Sequence, residues 1–446
     1  MEEIEIWQWC LIVLSGLLFF WWSPLAKTNN QFYKASSTKS QPSLWMLTGS
    51  LVISWIFAKS ITNAANLGLS FGLVGGVAYA AYYVSFAVAG IIIYQLRTQG
   101  GFESIHQFLA SRFGKGALLL FSILIGIRLF NEVWSNTMVI GSYFGETGSN
   151  GYYSAIVIFT TLTLAYALKG GLSSSIFTDV LQMGLFAVLL FIILWNIFEV
   201  DTFSLTDVAL SGEWSMAMGG NLLLAAILQS FSYPFHDPVL TDRGFISSPK
   251  TTLRSFLWAT VVGGVCITLF SIVGIFAQQQ GLQGQAAVAV SKAFGAVILL
   301  VVNFIMITSA ASTLDSTFSS SAKLLAIDLQ LGTSLSLGRW IMVIVAIAGT
   351  VPVFLDAEIL SATTISGTMV IGLTPIFLCW KQKVPKISFF LSVGCGLLFG
   401  FILVFDLFPK EFIYTTGTYA ELLWVNIWGL VCCFIAYFVP VWIKRR

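Results

Sequence analysis

Ten residues at positions 312–321, STLDSTFSSS, combine seven hydroxyls with one carboxylate. They follow LLVVNFIMITSAA, a run apolar enough to lie in a membrane. At about 100° per residue, one helix face carries Ser309, Ser312, Asp315, Ser316 and Ser319. Hydroxyls alone often hydrogen-bond to their own helix. Because this stripe also contains a carboxylate, it is typical of the clustered oxygen ligands that hard cations prefer.

Two other apolar segments carry residues that do not suit a helix facing lipid. In VISWIFAKSITNAANLGLS (52–70), Lys59 lies in the middle and is followed by hydroxyls and amides. In LLLAAILQSFSYPFHDPVLTDR (222–243), Pro234 and Pro238 each remove a backbone donor and free carbonyl groups. Such backbone is tolerated at membrane depth only where it is buried in protein or lines a water-filled cavity. We interpret both segments as broken helices, although Lys59 could instead snorkel and the prolines could form a simple kink.

Three further ionisable side chains lie inside apolar segments, where by default they indicate function. Asp179, in TDVLQ, either complements the dipole of its helix or belongs to a site. Arg128 and Glu132, in IRLFNEVW, are one helical turn apart. They form either an internal ion pair, or a site in which Arg128 binds the carboxylate of a solute.

Composition places the chain among integral membrane proteins. Of its 446 residues, 57% are hydrophobic and 9% are charged, and the mean hydropathy is +0.87. The net charge of +2 gives no argument for binding nucleic acid. All six cysteines lie in apolar segments, so we expect buried thiols. Two histidines leave little material for catalysis, and we expect no enzyme activity.

Apolar runs of the length needed to cross a bilayer predict about 13 spans in one membrane domain. They lie near 7–26, 44–66, 70–95, 116–142, 153–168, 173–199, 219–238, 252–277, 294–326, 338–355, 357–380, 387–405 and 423–443. A short glycine-rich turn separates the second span from the third. The segment ESIHQFLASRFG (103–114) predicts a short amphipathic helix on the membrane surface. The acidic start, MEEIEI, does not suit a signal peptide, so we expect the first span to be retained.

The distribution of charge between loops predicts the orientation. One set of alternate loops, together with the terminal Lys444, Arg445 and Arg446, holds nearly all the basic residues. The other set is acidic, with Lys292 and Lys410 as its basic residues. We therefore expect a plasma-membrane protein with its N-terminus outside and its C-terminus in the cytoplasm.

The two broken segments are the second and seventh spans, five apart. Interrupted helices in corresponding positions of two halves indicate an inverted-repeat transporter with its binding site at the membrane midplane. The repeats would be spans 2–6 and 7–11. The chain then divides into an extra span and loop (1–42), a ten-helix core (43–380) and two C-terminal spans (381–446).

Four motifs resemble those of the sodium:solute symporter family, which includes proline, sugar, sialic acid and choline symporters. The motifs are FLASRFG (108–114), KGGLSSSIFTDVLQ (169–182), DPVLTDR (237–243) and STLDSTFSSSAKLLAIDL (312–329). In DPVLTDR, Asp237 stands where the family usually has glutamine. The resemblance implies an all-α membrane fold of the LeuT type, a 5+5 inverted repeat, and alternating access.

The resemblance also implies residues for one or two sodium ions. The common site would use the hydroxyls of Ser312 and Thr313 and the carbonyls of Ser309, Ile53 and Ile56. A second ion, where family members have one, would use the positions of Asp179, Asp315 and Ser316. Asp315 departs from the sugar-type pattern, and two carboxylates near one site need a cation or a shared proton between them.

A solute would lie between the two breaks. The residues expected there are Lys59, Asn63, Arg128, Tyr233, Phe235 and His236. Lys59 departs from the family pattern: it could pair with a carboxylate in place of one sodium, or bind an anionic solute. The expected function is sodium-coupled symport of a small polar organic solute, such as an amino acid, a carboxylate, a sugar, or urea or another osmolyte. The expected partners are that solute and the lipid bilayer, with no obligatory protein partner.

Two alternatives remain at this point. One is a proton-coupled transporter that uses Asp179 and Asp315 as carriers, whose uptake would follow pH and ignore sodium. The other is a membrane sensor, because some family members are fused to signalling kinases. The chain ends at VWIKRR without such a domain, which argues against a sensor.

Overall fold

The structure is a computed structural model that describes residues 2–35, 41–355 and 367–444. Every regular element within these ranges is helical. The α-helices are α1 (Glu2–Trp22), α2 (Asn29–Lys34), α3 (Leu44–Trp55), α4 (Ala58–Ala80), α5 (Val84–Thr98), α6 (Ile105–Phe113), α7 (Lys115–Ser142), α8 (Asn150–Gly170), α9 (Leu172–Phe198), α10 (Leu205–Leu210), α11 (Asn221–Gln229), α12 (Pro238–Arg243), α13 (Pro249–Gln279), α14 (Ala286–Ala293), α15 (Ala296–Lys323), α16 (Leu335–Thr350), α17 (Leu373–Leu378), α18 (Ile387–Val404) and α19 (Ala420–Lys444).

Ten helices of the described part are long and apolar enough to cross a membrane. One of these, Ala58–Thr98, contains part of the second expected span and all of the third. Two shorter apolar helices, Leu44–Trp55 and Met216–Gln229, belong to the second and seventh expected spans. The first ten residues of the eleventh expected span, 357–366, lie outside the described residues, and its remainder contains α17. The integral-membrane class is confirmed, whereas the count of 13 and the division into 1–42, 43–380 and 381–446 stay predictions.

The second expected span is broken, as predicted. Helix α3 ends at Trp55 and α4 begins at Ala58, with Ile56 and Phe57 in non-helical conformations. Farther along, Gly72 has φ of +64° and turns the chain from the second span into the third. A Cβ at Gly72 would lie 2.5 Å from the backbone of the 211–212 loop, so only glycine fits this turn.

The seventh expected span is also broken, at the two predicted prolines. Helix α11 ends at Gln229, and a 3₁₀ turn spans Tyr233–His236. Asp237 is extended and caps α12, which begins at Pro238. Its Oδ1 accepts from the backbone N–H groups of Val239 and Leu240, at 3.0 and 3.4 Å. A proline at the first helical position loses no helical hydrogen bond, which explains why α12 begins there.

Each half of the core places a short helix and a glycine before a long inner helix. The surface helix α6 was predicted, and it leads through Gly114 into α7. Helix α14 was not predicted, and it leads through Gly295 into α15. The two glycines have nearly the same backbone angles, with φ of +87° and +91° and ψ of −178° and −172°. Equivalent elements at equivalent places agree with the inverted repeat.

The packing of α15 positions the oxygen-rich stripe. Helix α15 contacts α9, α8, α7 and α3, while α13 contacts α4, α5 and α3. From Met306 to Ala322, every side chain of α15 is buried. The hydroxyls therefore face protein rather than lipid, against the helices that carry Asp179 and the first break.

Candidate ion and solute site

Asp179 joins three other helices to α9. Ser50 of α3 and Ser312 of α15 each donate a hydroxyl hydrogen bond to its carboxylate, both at 2.5 Å. The guanidinium of Arg243, at the end of α12, forms an ion pair with it at 2.7 Å. Asp179 and Arg243 are fully buried. The cation cluster is defined here as Asp179, Arg243, Ser312, Asp315 and Ser316.

Arg243 contacts residues of the predicted second cation position. Its Nη2 donates to Ser316 Oγ at 2.9 Å and to Ser175 Oγ at 3.3 Å, in addition to Asp179. Its Nε donates to Ser50 Oγ at 2.7 Å. Arg243 is part of the DPVLTDR motif, but it was not among the residues predicted for the site. The structure puts its charge against two of the three residues expected to hold a second sodium.

Asp315 accepts hydrogen bonds from neutral groups. Thr178 donates to its Oδ2 at 2.9 Å, and Ser316 donates to its Oδ1 at 3.3 Å. Within the described residues, no basic side chain lies within 4 Å of this fully buried carboxylate. The nearby Tyr166 of α8 donates to the carbonyl of Ala311, at 3.1 Å. Asp315 therefore differs from Asp179, which has an arginine partner.

The residues predicted for the first sodium have suitable oxygens. The last four carbonyls of a helix lack intrahelical partners. Since α3 ends at Trp55, they include that of Ile53, and Ile56 lies in the break itself. Thr313 donates to the carbonyl of Ser309 at 3.0 Å, and Ser312 donates to Asp179. Both hydroxyl oxygens keep lone pairs for a cation.

A second group of charges links the two breaks through α7. Lys59 Nζ lies 3.0 Å from Glu132 Oε1, and Arg128 Nη1 lies 2.6 Å from the same oxygen. Arg128 Nη2 also pairs with Asp237 at 3.2 Å. The indole of Trp55 donates to Asp237 at 2.8 Å, directly joining the first break to the second. We call Lys59, Arg128, Glu132 and Asp237 the bridging cluster.

The bridging cluster is balanced in charge, with two basic and two acidic side chains, and none of its residues is more than 4% exposed. The internal Arg128–Glu132 pair, one of the two alternatives from the sequence, is present. Lys59 also pairs with a carboxylate and does not reach the membrane surface. These charges can be buried because each has a close partner of opposite sign.

A cavity of about 710 Å³ lies beside the first break. Three of the predicted solute residues, Lys59, Asn63 and Tyr233, line it. Lining residues that the sequence did not identify include Tyr79, Tyr82 and Gln229. The sequence does not identify them because tyrosine and glutamine are common in apolar helices, and their role depends on which helices pack beside them.

The other predicted solute residues lie behind this cavity and are not among those that line it. The guanidinium of Arg128 is 4.8 Å from the ring centre of Tyr233. Phe235 stacks on Phe377 with ring centres 4.0 Å apart. His236 Nδ1 lies 2.6 Å from the carbonyl of Tyr233, and its buried Nε2 has no hydrogen-bond partner in the described part of the chain.

No family model matches the chain. Curated proteins resemble part of it. Sodium/glucose cotransporter 4 of Danio rerio is 25% identical over 158 residues, which is 35% of this chain and 24% of that protein. Solute carrier family 5 member 4A of Mus musculus is 27% identical over 205 residues, 42% of this chain and 30% of that protein. The chain thus matches less than a third of the length of either relative.

Solved structures resemble the whole chain. A Na⁺-coupled sialic acid symporter in a substrate-bound outward-open state has a TM-score of 0.68 and 13% identity, covering 98% of this chain and 97% of that one. Together with the sequence relatives, this agrees with the resemblance to the sodium:solute symporter family. Mhp1, a nucleobase-cation-symport-1 family transporter in a closed conformation, has a TM-score of 0.59 and 13% identity over 95% of both chains. The predicted LeuT-type fold is therefore confirmed.

Proposed function

We propose that this chain is a sodium-coupled symporter of a small polar organic solute that works by alternating access. The observation that carries the proposal is the meeting of a broken helix with an oxygen-lined one. Helix α3 ends at Trp55, and it packs against α15 where Ser312 bonds Asp179. Carbonyls at a helix break and hydroxyls on a facing helix form the ligand set expected of a midplane sodium site.

In this mechanism, sodium ties the first break to α15. The carbonyls of Ile53, Ile56 and Ser309 and the hydroxyls of Ser312 and Thr313 would hold the ion. Ordering the break also orders the cavity wall, which includes Trp55, Phe57 and Lys59. Sodium and solute then strengthen each other's binding. One sodium moving down 100 mV supplies about 2.3 kcal/mol before its concentration gradient is counted.

Alternating access needs a path for the solute on each side of the binding site, and two cavities provide such paths. The cavity of about 710 Å³ includes Leu222, at the beginning of α11. A second cavity of about 1060 Å³ includes Asp242 in α12. The two cavities therefore lie toward opposite ends of the seventh span. An ion pair between Asp242 and Lys323 lies at the second cavity, where it would have to rearrange for solute to leave.

The lining of the first cavity favours a small solute that forms many hydrogen bonds, such as an amino acid, a carboxylate, a sugar, or urea or another osmolyte. It offers one amine, several amides and hydroxyls, and aromatic faces. We further propose a plasma-membrane location with the N-terminus outside, transport rather than catalysis, and no obligatory protein partner. The loop charges support that orientation.

Thermal stability in sodium chloride against potassium chloride, at equal ionic strength, tests sodium binding. A ligand that binds only the folded state raises stability by mass action. We expect a sodium-specific rise in the melting temperature that is lost in Ser312→Ala. Ser321→Ala is the matched control, because Ser321 lies on the same helix and donates only to the Thr317 carbonyl. Equal stability in both salts would contradict the proposal.

The absence of a basic partner for Asp315 favours a second candidate, the proton-coupled transporter. In that case, uptake would follow an imposed pH gradient and would not respond to sodium. The comparison of the two salts separates the candidates, because only the sodium-coupled transporter is stabilised by sodium over potassium at constant pH.

A further inference from the structure

The buried charges in the middle of the core do not balance. Two buried groups hold them: the bridging cluster, with two bases and two acids, and the cation cluster, with one base and two acids. None of these seven residues is more than 4% exposed. With all of them ionised, the core carries one uncompensated negative charge. An isolated charge in a medium of low dielectric is costly, so the core needs one compensating positive charge, either a proton or a bound cation.

The predicted second cation position already has a positive charge beside it. Arg243 Nη2 contacts Asp179 at 2.7 Å and Ser316 at 2.9 Å, both of them residues expected to hold a second sodium. A sodium held by these same oxygens would lie next to the guanidinium, and like charges at that distance repel strongly when little water screens them. Arg243 therefore takes the electrostatic role of an ion at this position.

The uncompensated charge lies on Asp315. Its hydrogen-bond donors are hydroxyls, and the basic residue of its cluster bonds Asp179 instead. It lies one helical turn from Ser312, a ligand predicted for the first sodium. Two fully buried polar groups on the facing surfaces, Ser309 Oγ and the Gln182 amide, have no hydrogen-bond partner among the described residues. The surroundings of Asp315 thus keep spare oxygen ligands as well as the charge.

We propose that the chain binds one sodium ion, that Asp315 supplies the charge balancing it, and that Arg243 replaces a second ion. This inference rests on the proposed sodium coupling and fixes the number of ions that coupling leaves open. It also makes the two aspartates of the cluster unequal, because Asp179 is neutralised within the protein and Asp315 is neutralised by the transported ion.

Binding of radioactive sodium to the purified full-length chain tests the inference without measuring transport. We expect one ion per chain. In Arg243→Gln the core has two uncompensated carboxylates, so two ions should bind. In Asp315→Asn the site loses its charge, and the dissociation constant for sodium should rise by about tenfold or more, since ligand charge sets the affinity of such sites. The double variant, Arg243→Gln with Asp315→Asn, should return to one ion.

Matched controls separate these effects from general damage. Arg97 bonds two backbone carbonyls and Thr252, and Arg97→Gln should leave one ion per chain. Asp207 caps the short helix α10, and Asp207→Asn should leave the sodium affinity unchanged. If Arg243→Gln does not fold, the comparison of Asp315→Asn with Asp207→Asn still decides the role of Asp315.

Each result has one meaning. Two ions bound to the unmodified chain, or one ion bound to a folded Arg243→Gln variant, would overturn the inference and leave sodium coupling intact. Equal sodium affinities in Asp315→Asn and the unmodified chain would also overturn it. No sodium binding to the unmodified chain would contradict the proposed function itself.

Discussion

The bridging cluster and the cation cluster are both buried, and both hold broken helices to helices of the core, but they differ in charge. In the bridging cluster, Arg128 forms ion pairs with two carboxylates, and the charge of Lys59 makes the cluster neutral. In the cation cluster, Arg243 forms an ion pair with Asp179, whereas Asp315 accepts hydrogen bonds from hydroxyl groups. A cluster with equal numbers of acidic and basic side chains is neutral without a bound ion, so it can hold the cavity wall in place. A cluster with one more acidic than basic side chain becomes neutral only when it binds a cation or a proton.

Removing the centre of the balanced network should have the largest effect. Arg128→Leu leaves Asp237 without its basic partner and Glu132 with Lys59 alone. Breaking a buried ion pair by removing one partner costs about 3–5 kcal/mol. We expect a loss of stability of that size, measured by denaturant or thermal unfolding in detergent. Arg97→Leu is the control and should cost less, because Arg97 bonds neutral groups. Equal losses of stability in Arg128→Leu and Arg97→Leu would show that the ion pairs of the bridging cluster contribute no more than hydrogen bonds to neutral groups.

Replacing each aspartate of the cation cluster by asparagine should change the free energy of unfolding in opposite directions when sodium is absent. Asp179→Asn leaves Arg243 unpaired and should cost about 3–5 kcal/mol. Asp315→Asn removes a buried charge that has no basic partner and should stabilise by about 1 kcal/mol or more. Unfolding in potassium chloride measures both. Destabilisation of similar size by both variants would mean that Asp315 is already compensated without sodium.

A titratable group outside both clusters gives a reference for the cost of burying charge. His106, on the surface helix α6, is buried, and its burial and then the charge of Lys323 lower its pKa from 6.5 to about 4. The folded protein therefore binds this proton less readily than the unfolded chain. The resulting stability is complete above pH 6.5 and is lost as the pH falls towards 4 and below, by up to about 3 kcal/mol.

The pH effect of His106 is measured as unfolding from pH 7 to pH 4, compared with His106→Gln. The variant should lose less stability than the unmodified chain over this window. Parallel curves would mean that the imidazole is already charged at neutral pH and forms a true ion pair with Asp328, whose Oδ2 lies 3.5 Å from its Nδ1.

Lys59, at the edge of the bridging cluster, should have a smaller effect on stability than Arg128 at its centre. In Lys59→Met, Glu132 still has Arg128 at 2.6 Å, so we expect a loss of about 1–3 kcal/mol. A double-mutant cycle with Glu132→Gln measures the Lys59–Glu132 coupling, which should also be favourable. Zero coupling would mean that Lys59 contributes to solute binding and little to the network.

Much of this architecture could be predicted from local chemistry. Pro234 and Pro238 identify the second break because proline cannot donate a helical hydrogen bond. The stripe on α15 follows from helical spacing alone. The first break was predicted from polar residues around Lys59, and the family resemblance placed its free carbonyls near Ile53 and Ile56. Local chemistry alone does not place the break there, because neither Ile56 nor Phe57 disfavours a helix strongly.

The partners of the charges could not be predicted, because they depend on tertiary packing. Arg243 is 64 residues from Asp179, and Arg128 is 109 residues from Asp237. No pattern in the sequence joins these pairs. One signal was available: Ser175, Thr178, Asp179 and Gln182 fall on one helical face of α9, and that face does meet α15.

The most direct test of the account is solute uptake by the purified chain in proteoliposomes under an imposed sodium gradient. A panel of labelled proline, glucose, lactate and urea represents the four solute classes. The account predicts that a member of the panel accumulates against its gradient with inward sodium, and that accumulation disappears when potassium replaces sodium or an ionophore collapses the gradient. Accumulation that follows an imposed pH gradient and is unchanged by sodium would contradict it.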